Sequence, residues 1–334
     1  MISGAMIVRE AAKTVRAALE SARSACDEVV VLDTGSTDGT LEVLRDLAAA
    51  WRTSDGAQLF VHEWAWRDDF SAARNEVQAR CAGDWIVVVD SDEVLDPGNL
   101  RETIGKLTDD FDGCAVRLLC EGDRGAVDRV WQVRAYRKAR GVWMLPVHNQ
   151  LTGIRRAART SAVIRTSYRG DLARRMARSV PMLEKFHREH PEDLHGPFML
   201  AHMHAATENW REALRWATVS TSLCKGEPGE ELVWVIRAQA THALHGIDLA
   251  ESALRDGIAR YPDAPDLRYL AITLAVARWA KVASDARRAH RCDLSTLRGL
   301  PSSPEEWQRL QGAIDALDLG VQLVHELDTP AVPA

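Results

Sequence analysis

The chain has 334 residues, 46% of them hydrophobic and 27% charged, with a formal net charge of −6 and a pI near 6. That length and apolar content can bury a large core and predict two domains. The mild acidity excludes any global pull towards nucleic acid or an anionic membrane. Six cysteines, at 26, 81, 114, 120, 224 and 292, form no Cys-X-X-Cys pair and no dense framework, so they read as buried or free thiols of a reducing compartment. The N-terminus carries no signal arrangement and no apolar run approaches the ~20 residues of a spanning helix, which together predict a cytoplasmic protein.

In chain order, "GAMIVRE" is a short β-rich run, and "AKTVRAALESARSA" places Val15, Ala18, Leu19 and Ala22 at helical spacing. "DEVVVLDTGSTDGT" is a buried strand from Val29 to Leu32 that ends in a turn rich in Gly, Ser, Thr and Asp, and "TLEVLRDLAAAW" resumes a helical period. "AQLFVHEWAW" is a third strand, "DFSAARNEVQARCAG" an Ala-rich helix with Gly83 expected as its C-cap, and "DWIVVVD" a fourth strand. Strands alternating with helices predict an α/β fold with a mostly parallel sheet and right-handed crossovers. From about Ser179 the period is entirely helical. Ala213 and Ala250, 37 residues apart, take the small-residue position of a tetratricopeptide-like repeat, whose period is ~34, and Pro262 closes the unit. The expected divisions are 1–175 for the α/β domain, 176–325 for the helical domain and 326–334 for a disordered tail.

In a parallel sheet the ligand crevice lies at the carboxyl ends of the strands. Acidic groups fall there after three strands: Glu10 beside Arg9, then Asp33 with Asp38 and Ser36 in the same turn, then Asp90, Asp92 and Glu93 in "VVVDSDEVLD". Turn chemistry and helix capping account for any one of these sets. Three together ask for a cation. Two carboxylates two residues apart can reach one hard divalent ion, which prefers oxygen ligands and also holds a diphosphate. The Gly-X-Gly-X-X-Gly and Gly-X-X-X-X-Gly-Lys loops are absent, which argues against a Rossmann dehydrogenase or a P-loop enzyme.

Taken in order, "MIVREAAKTVRAALES", "DEVVVLDTGSTDGT", "WRDDFSAARN", "AGDWIVVVDSDEVL", "VWQVRAYRK" and "GVWMLPVHNQL" resemble the inverting family 2 glycosyltransferases of A-type (GT-A) fold, in the branch with a tetratricopeptide-like tail. The resemblance implies a nucleotide-sugar donor, most simply a UDP-sugar, bound through Val8, Arg9, Glu10, Asp33, Ser36, Asp38, Arg74, Asn75, Asp90 and Ser91. Asp33 would meet the uracil or ribose, Ser36 and Asp38 either touch the ligand or shape the turn, and Arg74 either counters the diphosphate or pairs with the acidic cluster. Mn²⁺ or Mg²⁺ would be held by Asp92, by Asp90, shared with the ribose, and by His148. Asp92 and His148 would be catalytic, the latter as the base that takes a proton from the acceptor.

The chain departs from that branch in three places. His148-Asn149-Gln150 stands where His-Glu-Gln is usual, Arg9-Glu10-Ala11 where Asn-Glu follows the first strand, and "IRTSYRGD" where a second His-containing turn is usual. Between Arg134 and Arg178 twelve Arg or Lys face one acid, Asp171. That run is either solvated surface or the seat of a polyanionic acceptor, for which phosphate contacts by Arg155, Arg156 and Arg159 are expected. Acceptors compatible with these features are a protein, a glycan or DNA. A binding protein with an inactive first domain and a docking helical tail is the reading from a different class.

Overall fold

The computed structural model describes residues 1–121, 127–167 and 172–288. Arg169, Asp171, Cys292 and the tail 326–334 lie outside them. The chain divides into two compact units, Met1–Leu200 and a second that begins at Ala201.

The first unit opens with β1 (Ile2–Val8), α1 (Val15–Ala22), β2 (Glu28–Asp33), α2 (Thr40–Arg52), β3 (Gln58–Glu63), α3 (Phe70–Arg80) and β4 (Trp85–Val88). It continues with β5 (Glu93–Asp96), α4 (Leu100–Lys106), β6 (Gly113–Glu121), β7 (Val127–Arg137), β8 (Val142–Met144), β9 (Gln150–Thr152), β10 (Ala157–Ser167) and α5 (Leu172–Glu189). Eight strands form one sheet in the order β3-β2-β1-β4-β7-β6-β10-β5, and β8 and β9 make a separate hairpin. The first four in that order are parallel, as the alternating sequence pattern requires. Beyond β4 the sheet is mixed: β4–β7, β7–β6 and β10–β5 are antiparallel and β6–β10 parallel. The expected GT-A-type α/β sheet followed by an all-helical region is the architecture observed.

The reason β2 reads as an unbroken apolar run is burial on both sides. Its period of two sends Val29 and Val31 into a core with α1, α2 and α4, where Val15, Leu19, Leu44, Leu47 and Leu100 are buried. Val30 and Leu32 face the other way, with Ala73 and Val77 of α3 and with Tyr136 and Trp143. Cys26, Cys81 and Cys114 sit in these layers as buried free thiols, each pushed by burial up to about 12. They are packing residues rather than reactive ones.

Gly83 does not cap α3 as expected. That helix ends at Arg80, and the next residue, Cys81, is extended. Gly83 is glycine for want of space: a Cβ there would lie 2.6 Å from Ser3 Oγ and 2.7 Å from the Met1 carbonyl oxygen. Its amide donates to Ser3 Oγ at 2.8 Å, Ser3 Oγ donates to Glu28 Oε1 at 2.6 Å, and the Ala82 amide donates to the same Glu28 oxygen. The buried Glu28 carboxylate thus ties β1, β2 and the approach to β4 together, which compensates its desolvation.

Across the unit boundary runs α6 (His195–Ala206); the second unit then contains α7 (Trp210–Leu223), α8 (Glu231–His245), α9 (Ile247–Arg260) and α10 (Pro265–Arg288). Ala213 and Ala250 are fully buried, and Trp216 is buried as a core residue. Gly257 lets α9 approach α8 closely, since a Cβ would come 2.9 Å from Trp234 Cβ. Among the described residues no helix is long and apolar enough to cross a membrane.

Gly83→Ala is expected to destabilise the first unit by about 1–3 kcal/mol, the usual penalty of overpacking a close contact. A lower urea midpoint with unchanged slope checks this.

Candidate active site

Parallel register brings the carboxyl ends of β1 and β2 level, with Val8 beside Asp33, and β4 flanks β1 on the other side. Asp33 is 1% exposed. One of its oxygens, Oδ1, accepts the amides of Gly35 and Ser36 at 2.9 and 2.8 Å, which is an Asx-turn. The other, Oδ2, is buried with no hydrogen-bond partner. A buried carboxylate oxygen without a donor is costly and rare in a folded chain.

The loop after β1 is clasped to the turn after β2. The Glu10 amide donates to Ser36 Oγ, Glu10 Oε1 accepts from Thr37 N and Oγ1, and the Ala12 amide donates to Asp38 Oδ2. Asp38 Oδ1 also accepts from the Thr40 amide at the start of α2. Glu10 holds this position in the left-handed region, at φ 54°. Glu10, Ser36 and Asp38 are therefore engaged in loop structure. The Val8 carbonyl accepts from Thr34 N and Oγ1. Arg9 is exposed and makes no ion pair among the described residues.

At the end of β4 the mutual repulsion of the acids is answered by arginines. Arg74 of α3 contacts Asp90 Oδ1 at 2.7 Å, and Arg134 of β7 lies 3.5 Å from Asp90 Oδ2 and 2.6 Å from Glu93 Oε1. The Arg134 and Glu93 side chains are only 8% and 5% exposed. Glu93 Oε2 accepts the Asp90 amide, closing the turn. Desolvation pushes the Asp90 pKa up, but the charges and hydrogen bonds of Arg74 and Arg134 outweigh it and hold the carboxyl at about 2, below its ordinary 3.8. Glu93 is raised, by burial first and by the Asp90 charge second. Asp92 is exposed as a residue and has no ion pair among the described residues, yet desolvation of its carboxyl and then the Asp90 charge raise its pKa. Ser91 between them is half-buried.

Among the described residues no three carboxylate, imidazole or thiol groups converge as a metal cluster. Asp90, Asp92 and His148, expected as metal ligands, are not gathered into such a cluster among the described residues, and Asp90 is paired with two guanidinium groups. Asp92 is the carboxylate left uncommitted, and a hard cation that draws its remaining oxygens from phosphate and water needs only one or two such groups. The donor set fits a divalent ion in that limited sense.

Asn75 is bound up in structure: its Oδ1 accepts the Trp143 amide at 3.0 Å and its Nδ2 donates to the Trp143 carbonyl at 2.8 Å, pinning β8 to α3. Arg74 stacks over the same indole, 4.7 Å from its centroid. His148 sits in the β8–β9 loop, exposed, at φ 52°, with Leu145 of that loop at φ 73°. Neither is glycine, so the loop stores strain that its surroundings must hold. Two of its braces are the Phe70 amide, which donates to the Pro146 carbonyl at 3.0 Å, and His195, at the start of α6, whose Nε2 meets the Val147 carbonyl at 2.8 Å. Facing a carbonyl, that nitrogen must be the protonated one. Burial lowers the His195 pKa. Asn149 Nδ2 is buried without a partner. Beside the loop opens a cleft of about 360 Å³, lined by Leu145, Pro146, Met182 and Phe186 with Asp68 and Lys185 among its charged groups.

The basic run from Arg134 to Arg178 is not one patch. Arg134 is buried at the Asp-X-Asp turn, Arg137 pairs with Asp109 at 3.1 Å, and Arg140 and Arg155 share the buried Asp112 at 3.5 and 3.3 Å. Arg156 covers Phe111 and Arg178 covers Phe70. Acids earlier in the chain neutralise four of these cations, Arg134, Arg137, Arg140 and Arg155. His195 and the pairing role of Arg134 were not read from the sequence. An arginine inside an apolar strand is a signal for the latter; nothing local marks the former.

Replacing Arg134 by Met leaves Glu93 buried and unpaired, and is expected to cost about 3–5 kcal/mol at pH 7. The loss should shrink as pH falls, because Glu93, whose folded pKa is raised, is relieved by protonation. Asp90 has the opposite sign: its lowered pKa adds stability that is present above 3.8 and lost as pH falls through about 2, so Asp90→Asn should flatten that acid limb. Urea titrations from pH 7 to pH 2 check both. His195→Leu is expected to strip the Val147 carbonyl of its donor and speed amide hydrogen exchange across 145–149.

Residues 4–169 match the family model described as Glycosyl transferase family 2. A TPR repeat-containing protein of Synechococcus elongatus is 46% identical over 94 residues, 28% of this chain and 21% of that protein. The SPbeta prophage-derived glycosyltransferase SunS of Bacillus subtilis is 28% identical over 98 residues, 29% of this chain and 21% of its own. These matches span about a fifth of the length of each relative. Among solved structures, S. aureus TarS 1-349 in complex with UDP-GlcNAc aligns over 83% of this chain and 92% of its own, at 15% identity and a TM-score of 0.43. The family match begins within β1 and ends just past β10, so it takes in the whole mixed sheet, and through that segment the chain belongs to glycosyl transferase family 2.

Proposed function

We propose that the chain transfers a sugar from a nucleoside-diphosphate donor, a UDP-sugar in the simplest case, to a nucleophile on a protein or glycan acceptor, in a single displacement with inversion. The observation that carries this reading is Asp33 Oδ2, a buried carboxylate oxygen with no donor at the carboxyl end of β2. A ribose hydroxyl or a uracil N–H supplies the missing donor. Arg9, exposed at the end of β1 with no ion pair among the described residues, is then the guanidinium available to a diphosphate. Arg74 and Arg134 keep Asp90 ionised and fix the turn that presents Asp92.

Mn²⁺ or Mg²⁺, held by Asp92 together with diphosphate oxygens, would neutralise charge on the departing nucleoside diphosphate. His148 takes the proton of the attacking group, since imidazole titrates near neutrality and the side chain is exposed in the loop braced by His195. Asn149 replaces the acid usual in this branch, so the His148-Asn149-Gln150 motif itself offers no carboxylate as an alternative proton acceptor.

Calorimetric titration with UDP-, GDP- and TDP-sugars tests the donor site without knowledge of the acceptor. Divalent metal should raise affinity for one of them about tenfold or more, and Asp92→Asn should abolish the gain while sparing the fold. Equal affinity with Mn²⁺ and with EDTA would remove the metal from this reading. Asp33→Ala should weaken the free nucleotide as much as its sugar conjugate, by roughly 1.5–3 kcal/mol for a charged hydrogen bond; an effect confined to the conjugate would misplace Asp33.

A further inference from the structure

The face of the sheet that α3 covers over its parallel half continues across β6, β7, β10 and β5, where no helix among the described residues packs on it. Paired residues share a face, and register sets Trp131 opposite Arg117, Val163 beside Arg117, and Arg165 beside both Leu119 and Val94. The opposite face of the same strands carries Val116, Ala162 and Ile164, all buried in the core with α1 and α4. On the bare face Arg117, Arg159 and Arg165 are exposed, Val94 is 44% exposed, and Trp131, Leu119 and Val163 are half-buried.

These three arginines differ from the four ion-paired arginines of the basic run. Arg134, Arg137, Arg140 and Arg155 each have a carboxylate, whereas Arg117, Arg159 and Arg165 have none among the described residues. Arg117 and Arg159 lie 5.4 and 5.1 Å from the centroid of the Trp131 ring. Two acids lie near in register, Asp96 of β5 beside Val163 and Glu121 of β6 beside Ser167.

We propose that this bare sheet face docks on the surface of an anionic bilayer. Charge complementarity argues for an anionic partner, and the apolar residues set between the arginines argue for a lipid one. Tryptophan is favoured at the membrane–water interface, and arginine keeps its stem on apolar surface while its head reaches phosphate. Nucleic acid fits less well, because the indole that would stack a base is already engaged by two guanidinium groups. The chain's net charge of −6 opposes adsorption at long range. Attraction by this face therefore acts within a Debye length of ~10 Å at 0.1 M salt, and binding is steeply salt-dependent.

The full chain is sedimented with vesicles of phosphatidylserine and phosphatidylcholine in equal parts, and with phosphatidylcholine alone. Binding is expected to the first only, weakened by salt. Arg117→Gln and Arg165→Gln should each weaken it roughly fivefold, the share of one basic residue near a charged surface. Arg155→Gln, whose guanidinium is paired with Asp112, should leave it unchanged. Thermal denaturation of each variant separates loss of binding from loss of fold. Equal binding to both vesicles, no binding to either, or insensitivity to Arg117→Gln and Arg165→Gln would overturn the proposal. So would tighter binding to single-stranded DNA with the same arginine dependence, which would reassign the face to nucleic acid.

Discussion

The site rests on the demand of buried charge for a partner. Arg134 enters the protein on a strand whose neighbours, Ala135 and Tyr136, are fully buried, and it stays charged there only because Asp90 and Glu93 meet it. The reverse is equally true: Glu93 at 5% side-chain exposure is tolerable as an anion only opposite that guanidinium. The network joins residues from α3, β7 and the β4–β5 turn, and so ties that turn to the sheet and to α3. Asp92, which follows in the same turn, has no ion pair among the described residues.

Sheet geometry decides why the site lies where it does. Four parallel strands, the inner three buried on both faces and β3 at the edge, expose their carboxyl ends together, and each ends in a loop rather than a tight hairpin. Polar side chains gathered there meet one another before they meet a ligand. Glu10, Ser36, Thr37 and Asp38 form one hydrogen-bonded clasp, so much of the polarity that reads as ligand binding is used to fix backbone. Asp33 is divided between the two tasks, one oxygen for the turn and one without a donor.

In the β8–β9 loop the same principle runs through the backbone. Leu145 and His148 sit at positive φ in a loop that His195, 47 residues after His148 in sequence, braces through the Val147 carbonyl. Strain in that loop and its distant support belong together, since an unsupported loop would relax to ordinary dihedrals. Arg117, Arg159 and Arg165 of the mixed half have no such counterpart among the described residues, which is why their charge is read outward.

The sequence alone determined the strands and helices of the parallel half, because period-two and period-3.6 apolar patterns are local properties. It also determined the Asp33 turn and the Asp-X-Asp turn, which sit where apolar runs break into acids, and the helical region with its buried Ala213 and Ala250. Only the tertiary structure decided which charges remain available. Arg74 and Arg134 reach Asp90 from 16 and 44 residues away, and Asp112 neutralises arginines 28 and 43 residues later. Gly83 shows the same limit at the scale of one atom: its place after a helix suggests a cap, but the Ser3 hydroxyl, 80 residues distant in sequence, is what forbids a side chain. Pairings of that kind depend on which strands become neighbours, and the order β1-β4-β7-β6-β10-β5 is set by global packing rather than by any local run of residues.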